Sequence, residues 1–132
     1  MGIEQEILDN CHVVAIVGLS SNINRASNHV GSYLKSQGYR IIPINPAETS
    51  VLGEKCYPDL TSVPENVDVV DIFRRSDQVL PIVDEAIQIG AKAVWMQEGV
   101  INEKAAGKAK NAGLKVVMNR CMLKEHIRLY RR

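Results

Sequence analysis

Five apolar residues in a row, Val13 to Val17, break at Gly18 into Leu19-Ser20-Ser21-Asn22. A run of β-branched and aliphatic residues with no polar alternation reads as a strand buried on both faces, which is the condition of a parallel sheet. A glycine turn that feeds a helix amino terminus presents unpaired N–H groups to an anion. This stretch therefore points to an α/β fold with a phosphate ester as its ligand.

Four further apolar runs follow: Arg40 to Ile44, Val67 to Phe73, Ala93 to Met96 and Lys115 to Met118. Helical periodicity separates them, which is the pattern of strand-helix alternation. Val30, Tyr33 and Leu34 at spacings of three and four predict a helix from about Ser27 to Ser36, stopped at Gly38. Ser76-Asp77 offer caps for a helix carrying Val79, Ile82, Val83, Ala86 and Ile87 and ending at Gly90. Two more helices are predicted over Asn102 to Asn111 and Met122 to Tyr130, and an added amino-terminal one over Ile3 to Cys11. Ala47 to Pro64 has no sustained period and reads as loop with short irregular structure. The expected architecture is one Rossmann-like domain over the whole chain. It is a doubly wound, five-stranded parallel sheet in the order 3-2-1-4-5, with helices on both faces. Ligands then bind outside the carboxyl ends of the strands, beside the first strand, at a switch point expected between strands one and four.

With 16 basic and 15 acidic residues the net charge is +1, which gives no reason to expect a nucleic-acid or membrane-surface partner. No apolar stretch approaches the roughly 20 residues that span a bilayer, and Met1 to Asn10 is too acidic and polar for a signal peptide. A cytosolic protein is expected. Cys11, Cys56 and Cys121 are odd in number and widely spaced, so reduced thiols are expected. His12, His29 and His126 are equally scattered, and no metal site is assigned.

A dinucleotide oxidoreductase wants G-x-G-x-x-G after the first strand and an acid near the end of the second, to grip the ribose hydroxyls. Here the turn reads Gly18-Leu19-Ser20-Ser21-Asn22-Ile23-Asn24-Arg25, and the second strand ends in Asn45-Pro46 with Glu48 displaced beyond the proline. A neutral amide there tolerates a ribose phosphate. Arg25, Arg74 and Arg75 add charge at two of the strand ends, and a guanidinium fork matches phosphate oxygens. Arg75 reads as solvated.

Several ordered blocks carry a family resemblance across nearly the whole chain. They are Val17-Gly18-Leu19-Ser20 with Asn22, Arg25 and Ser27; Ile44-Asn45-Pro46; Leu52-Gly53-Glu54-Lys55 with Tyr57; and Val69-Val70-Asp71-Ile72-Phe73-Arg74-Arg75. Ala86 to Lys92, Trp95-Met96-Gln97-Glu98-Gly99-Val100 and Val116-Val117-Met118-Asn119-Arg120-Cys121 with Glu125-His126 complete the set. The chain resembles the stand-alone CoA-binding proteins of Rossmann type. It is likewise similar to the amino-terminal CoA-binding domain of the succinyl-CoA synthetase α subunit and of ADP-forming acyl-CoA synthetases. The resemblance implies that Gly18 and Ser20 cradle the diphosphate, assisted by Arg25 and Ser27. It implies that Asn45-Pro46 and Phe73-Arg74 flank the adenosine, and that Trp95, Gln97 and Gly99 line the pantetheine arm. Leu19, Asn22, Val100, Asn119 and Cys121 complete the implied binding set. The chain departs from the family pattern at Asn119, where relatives carry aspartate, at Met122, where they carry proline, and at Ala26, where a proline precedes the serine.

No catalytic residue is assigned. Asn119 cannot act as a general base, and the separation of five residues from Cys121 to His126 does not align them on a helix. Asp68 and Asp71 are three apart in a strand and point to opposite faces. Trp95 is read equally as core or as ligand wall. The basic segment Lys124 to Arg132 reads as a solvated helix face. The expectation is a binder of coenzyme A or an acyl-CoA without chemistry of its own. The alternatives are a CoA-binding component of an acyl-CoA synthetase-like assembly and an NAD(P)-sensing regulator. A homodimer through the amino-terminal helix is kept as a partner.

Overall fold

The computed structural model describes residues 2–131, so of the residues named from the sequence Met1 and Arg132 lie outside it. The strands of the large sheet are β1 (Val13–Val17), β2 (Arg40–Ile44), β5 (Val69–Ile72), β6 (Ala93–Met96) and β7 (Lys115–Val117). The helices are α1 (Ile3–Asn10), α2 (Ala26–Ser36), α3 (Val79–Gln88), α4 (Glu103–Asn111) and α5 (Met122–Tyr130). All neighbouring strands in the sheet run parallel, so the α/β class and the helices on both faces hold.

Successive strand residues feed opposite cores, which is why the runs are apolar throughout. Ala15, Val17, Ile42, Val70, Ile72, Val94 and Met96 pack with Val79, Val83 and Ala86 of α3 and Ala105 and Ala109 of α4. Val14, Ile16, Ile41, Val69, Trp95 and Val117 pack on the other face with Ile7 and Leu8 of α1, Val30 and Leu34 of α2, and Met122 of α5.

The order across the sheet is β2-β1-β5-β6-β7. Numbering these five strands along the chain, it reads 2-1-3-4-5: the third strand lies beside the first, with Val14 opposite Val69, and not beyond the second. Right-handed crossovers permit either arrangement. Asp68 ties the observed one together, because its carboxylate accepts from the His12 and Val13 N–H groups at 2.9 Å each and pairs with Lys92. Pro43 in the middle of β2 is the sequence signal for it, since a proline without an N–H belongs on an edge strand. Its carbonyl faces outward and accepts from Tyr57 N–H at 3.0 Å. The switch point therefore lies between β1 and β5.

Two local expectations change. Ser76 and Asp77 form a 3-10 turn, Ser76–Gln78, and α3 starts at Val79 without a side-chain cap. Ser76 Oγ is engaged elsewhere, accepting from Ile101 N–H at 2.9 Å. The segment read as irregular loop holds an antiparallel hairpin, β3 (Ser50–Val51) and β4 (Glu54–Lys55), and a 3-10 turn at Leu60–Ser62. Leu60 is buried with α3, so this connection crosses back over the sheet on the α3 face.

Candidate functional site

Gly18 has φ +89°, and a Cβ there would lie 2.3 Å from the Phe73 carbonyl oxygen. Only glycine lets β1 leave the sheet this close to the end of β5. Its N–H donates to Ile44 O at 2.8 Å, which fixes the turn to β2 as well.

The following amides are engaged within the rim. Ser20 N–H donates to Ser27 Oγ at 3.0 Å, Asn22 N–H to Ser20 Oγ at 3.0 Å, and Ser21 N–H to Glu48 Oε2 at 2.9 Å. Asn28 Nδ2 donates to Ser20 O, and Asn45 Nδ2 to Leu19 O at 3.1 Å. The turn is thus held rigidly from three sides. The first turn of α2 starts at Ala26 without a side-chain cap. Its amino terminus carries the partial positive charge of the helix dipole.

Gly18, Ser20, Arg25, Ser27, Asn45, Phe73, Arg74, Gln97 and Val100 line one cleft of about 440 Å³. Nine of the sequence-derived binding residues are brought together there. Ala26 and Glu98 complete the lining. A second cleft of about 500 Å³ adjoins it, and Arg74 lines both. Val17, Ile44, Pro46, Pro58, Leu60, Pro81 and Ile82 give it apolar walls, with Asp59, Asp77, Gln78 and Glu85 at polar positions. The three acids are already engaged, as Asp59 accepts from Ser62 N–H, Glu85 accepts from Leu60 N–H, and Asp77 pairs with Arg75 at 3.4 Å.

Pro46 lines only this second cleft. Sequence reading missed Pro58, Leu60, Pro81 and Ile82. They come from the β2-to-β5 crossover and from α3, and reach one place only because β5 lies next to β1. A signal existed in Pro43, which marks β2 as the edge.

The remaining implied residues stand outside the cleft walls. Leu19 is fully buried, and Asn22 is exposed with Oδ1 accepting from Asn24 N–H. Trp95 is fully buried and its indole N–H donates to Arg120 O at 2.9 Å, so it is core on the α1-α2-α5 face. Asn119 has φ +61° and its Oδ1 accepts from Gly99 N–H at 2.7 Å, joining the loops after β6 and β7. Cys121 is half-buried and stands at the amino end of α5. His126 Nδ1 is 2.7 Å from Tyr33 Oη, inside a group of tyrosines, and not paired with the thiol. Gln97, buried in the cleft floor, accepts from Met122 N–H through Oε1 and so aims α5 at the rim.

Arginines, hydroxyls and a free helix amino terminus suit a diphosphate, and the proline-rich slot suits a planar base. Glu98, the carboxylate in the first cleft, is tied to Lys124 at 3.0 Å. Among the described residues no group of three or more His, Cys, Asp or Glu side chains is arranged to hold a metal ion, and no helix is long and apolar enough to cross a membrane.

The family profile described as "CoA binding domain" matches residues 12–127. The chain belongs to this family. Over 122 residues the CoA-binding domain is 35% identical to the uncharacterized protein YneT of Bacillus subtilis, covering 92% of this chain and 90% of that one. A solved structure of a hypothetical protein from Pyrococcus horikoshii superposes with a TM-score of 0.94 at 41% identity, covering 98% of this chain and 92% of the other. An ADP-forming acetate–CoA ligase of Archaeoglobus fulgidus is 31% identical over 97 residues. That match takes in 71% of the CoA-binding domain and 14% of the ligase. The domain is thus homologous to one part of a larger synthetase, while the first two relatives are of its own size.

Proposed function

We propose that this domain binds coenzyme A or an acyl-CoA along the carboxyl rim of the sheet and carries out no reaction of its own. One observation supports this most: two clefts of different character meet at Arg74, at the switch point of the sheet. The polar cleft offers Arg25, Arg74, Ser20, Ser27 and the α2 amino terminus to the diphosphate. The proline-lined cleft fits the adenine, and the pantetheine arm runs toward Gln97, Gly99 and Val100.

The amides of Gly18, Ser20, Ser21 and Asn22 are already hydrogen-bonded within the rim, so at those positions the turn acts as a rigid spacer more than as a donor set. Homology to part of an acetate–CoA ligase supports a second reading, in which the domain hands CoA to separate ligase components. A pull-down recovering a synthetase-like partner would favour that reading.

Isothermal titration with CoA, acetyl-CoA and NADH tests the proposal. Saturable heat with CoA and acetyl-CoA, and weaker or no heat with NADH, is the expected result. A preference for NADH would select a dinucleotide sensor. The absence of heat at millimolar CoA would reject the proposal.

A further inference from the structure

A carboxylate stands at the rim where the strand pattern alone shows none. Glu48 lies four residues past the end of β2, and the Asn45 turn brings it back. Ala47 N–H donates to Asn45 Oδ1 at 3.0 Å and Glu48 N–H to Asn45 O at 3.3 Å. Glu48 Oε2 then accepts from Ser21 N–H at 2.9 Å, next to Ser20, which lines the polar cleft. Hydrogen bonds from Ser21 hold this carboxyl below the usual carboxylate range, so it is charged at neutral pH.

The loop from Asn45 to Gly53 contains no lysine or arginine, and Lys35, whose Nζ donates to Leu52 O of this loop, is paired with Glu54. Asn45 lines the polar cleft and Pro46 the apolar one, so the loop borders the place where a ribose joins base to diphosphate. An acid beyond the second strand accepts hydrogen bonds from ribose hydroxyls and repels a phosphate carried there.

We propose that Glu48 is a specificity-determining residue that favours nucleotides with free ribose hydroxyls and penalises a phosphorylated ribose. The inference rests on the nucleotide reading of the rim and deepens it. Arg74 acts in the opposite sense, so the balance of the two side chains sets how well the 3′-phosphate of CoA is accepted. The preference is electrostatic and is screened by salt.

Calorimetric titration of wild type, Glu48→Gln and Glu48→Lys with CoA and with 3′-dephospho-CoA tests this. Glutamine keeps an oxygen for Ser21 N–H and removes only the charge. The ratio Kd(CoA)/Kd(dephospho-CoA) is expected to fall about three- to tenfold in Glu48→Gln and further in Glu48→Lys, as expected for a partly exposed charge next to a phosphate. The effect shrinks in about 1 M salt, where screening reaches only about 3 Å. An unchanged ratio, or equal changes for both ligands at every salt concentration, would overturn the proposal and leave Glu48 a turn-stabilising residue. Failure of both ligands to bind wild type would overturn the nucleotide reading itself, and this inference with it.

Discussion

At the scale of single residues, Gly18, Asp71 and Arg74 separate folding from binding. Gly18→Ala places a methyl group 2.3 Å from a backbone oxygen at a left-handed φ. We expect a loss on the order of 2 kcal/mol or more, read from urea denaturation. Asp71 is fully buried in β5 and neither carboxylate oxygen has a hydrogen-bond partner. Burial holds its carboxyl well above the usual carboxylate range. Its contribution to stability is therefore fully present below about pH 4 and is lost as pH rises through the folded-state value. Asp71→Val should raise stability at pH 7 by about 1–3 kcal/mol and flatten the dependence on pH above about pH 4. Equal stability of the two proteins at pH 7 would contradict this. Arg74→Ala should weaken CoA about tenfold or more in calorimetry, and dephospho-CoA less, because a charge-assisted hydrogen bond to phosphate is lost.

Among the elements, the junction of the glycine turn with α2 does most to shape the rim. Ser27 is buried and its Oγ takes the Ser20 N–H. Ser27→Ala leaves that donor without its partner, so a cost of about 1–3 kcal/mol is expected in denaturation, together with weaker CoA binding. Unchanged affinity would show that the turn's shape does not matter to the ligand. The extents of β1, β2 and β6 were legible residue for residue, because a strand covered on both faces must be apolar throughout. Helix starts were less so. Ser76 looks like a cap, yet its hydroxyl serves the loop after β6, a contact that local sequence cannot reveal. Trp95 shows the same limit. Strand periodicity assigns it a face, whereas only the register, one step below Gln97, and the bond to Arg120 O make it core.

For the whole molecule, the fold class and the rim carrying the ligand were legible, while the order of strands was not. Alternation of strands and helices specifies a parallel sheet but is indifferent to where the third strand inserts. Asp68 and the edge position of Pro43 decide that in three dimensions. The apolar cleft was invisible for the same reason, since its walls come from segments made neighbours by that order. Glu48 was visible only as a residue beyond a proline, and its return to Ser21 depends on the Asn45 turn. The central claim is that CoA lies across both clefts. The most direct test is an amide NMR titration of the isotope-labelled protein with CoA. Shifts should concentrate at residues 18–27, 45–48, 57–60, 73–78 and 97–100. Absence of shifts at millimolar CoA, or shifts confined to the α2-α5 surface around Tyr33, Ile127 and Tyr130, would contradict the account.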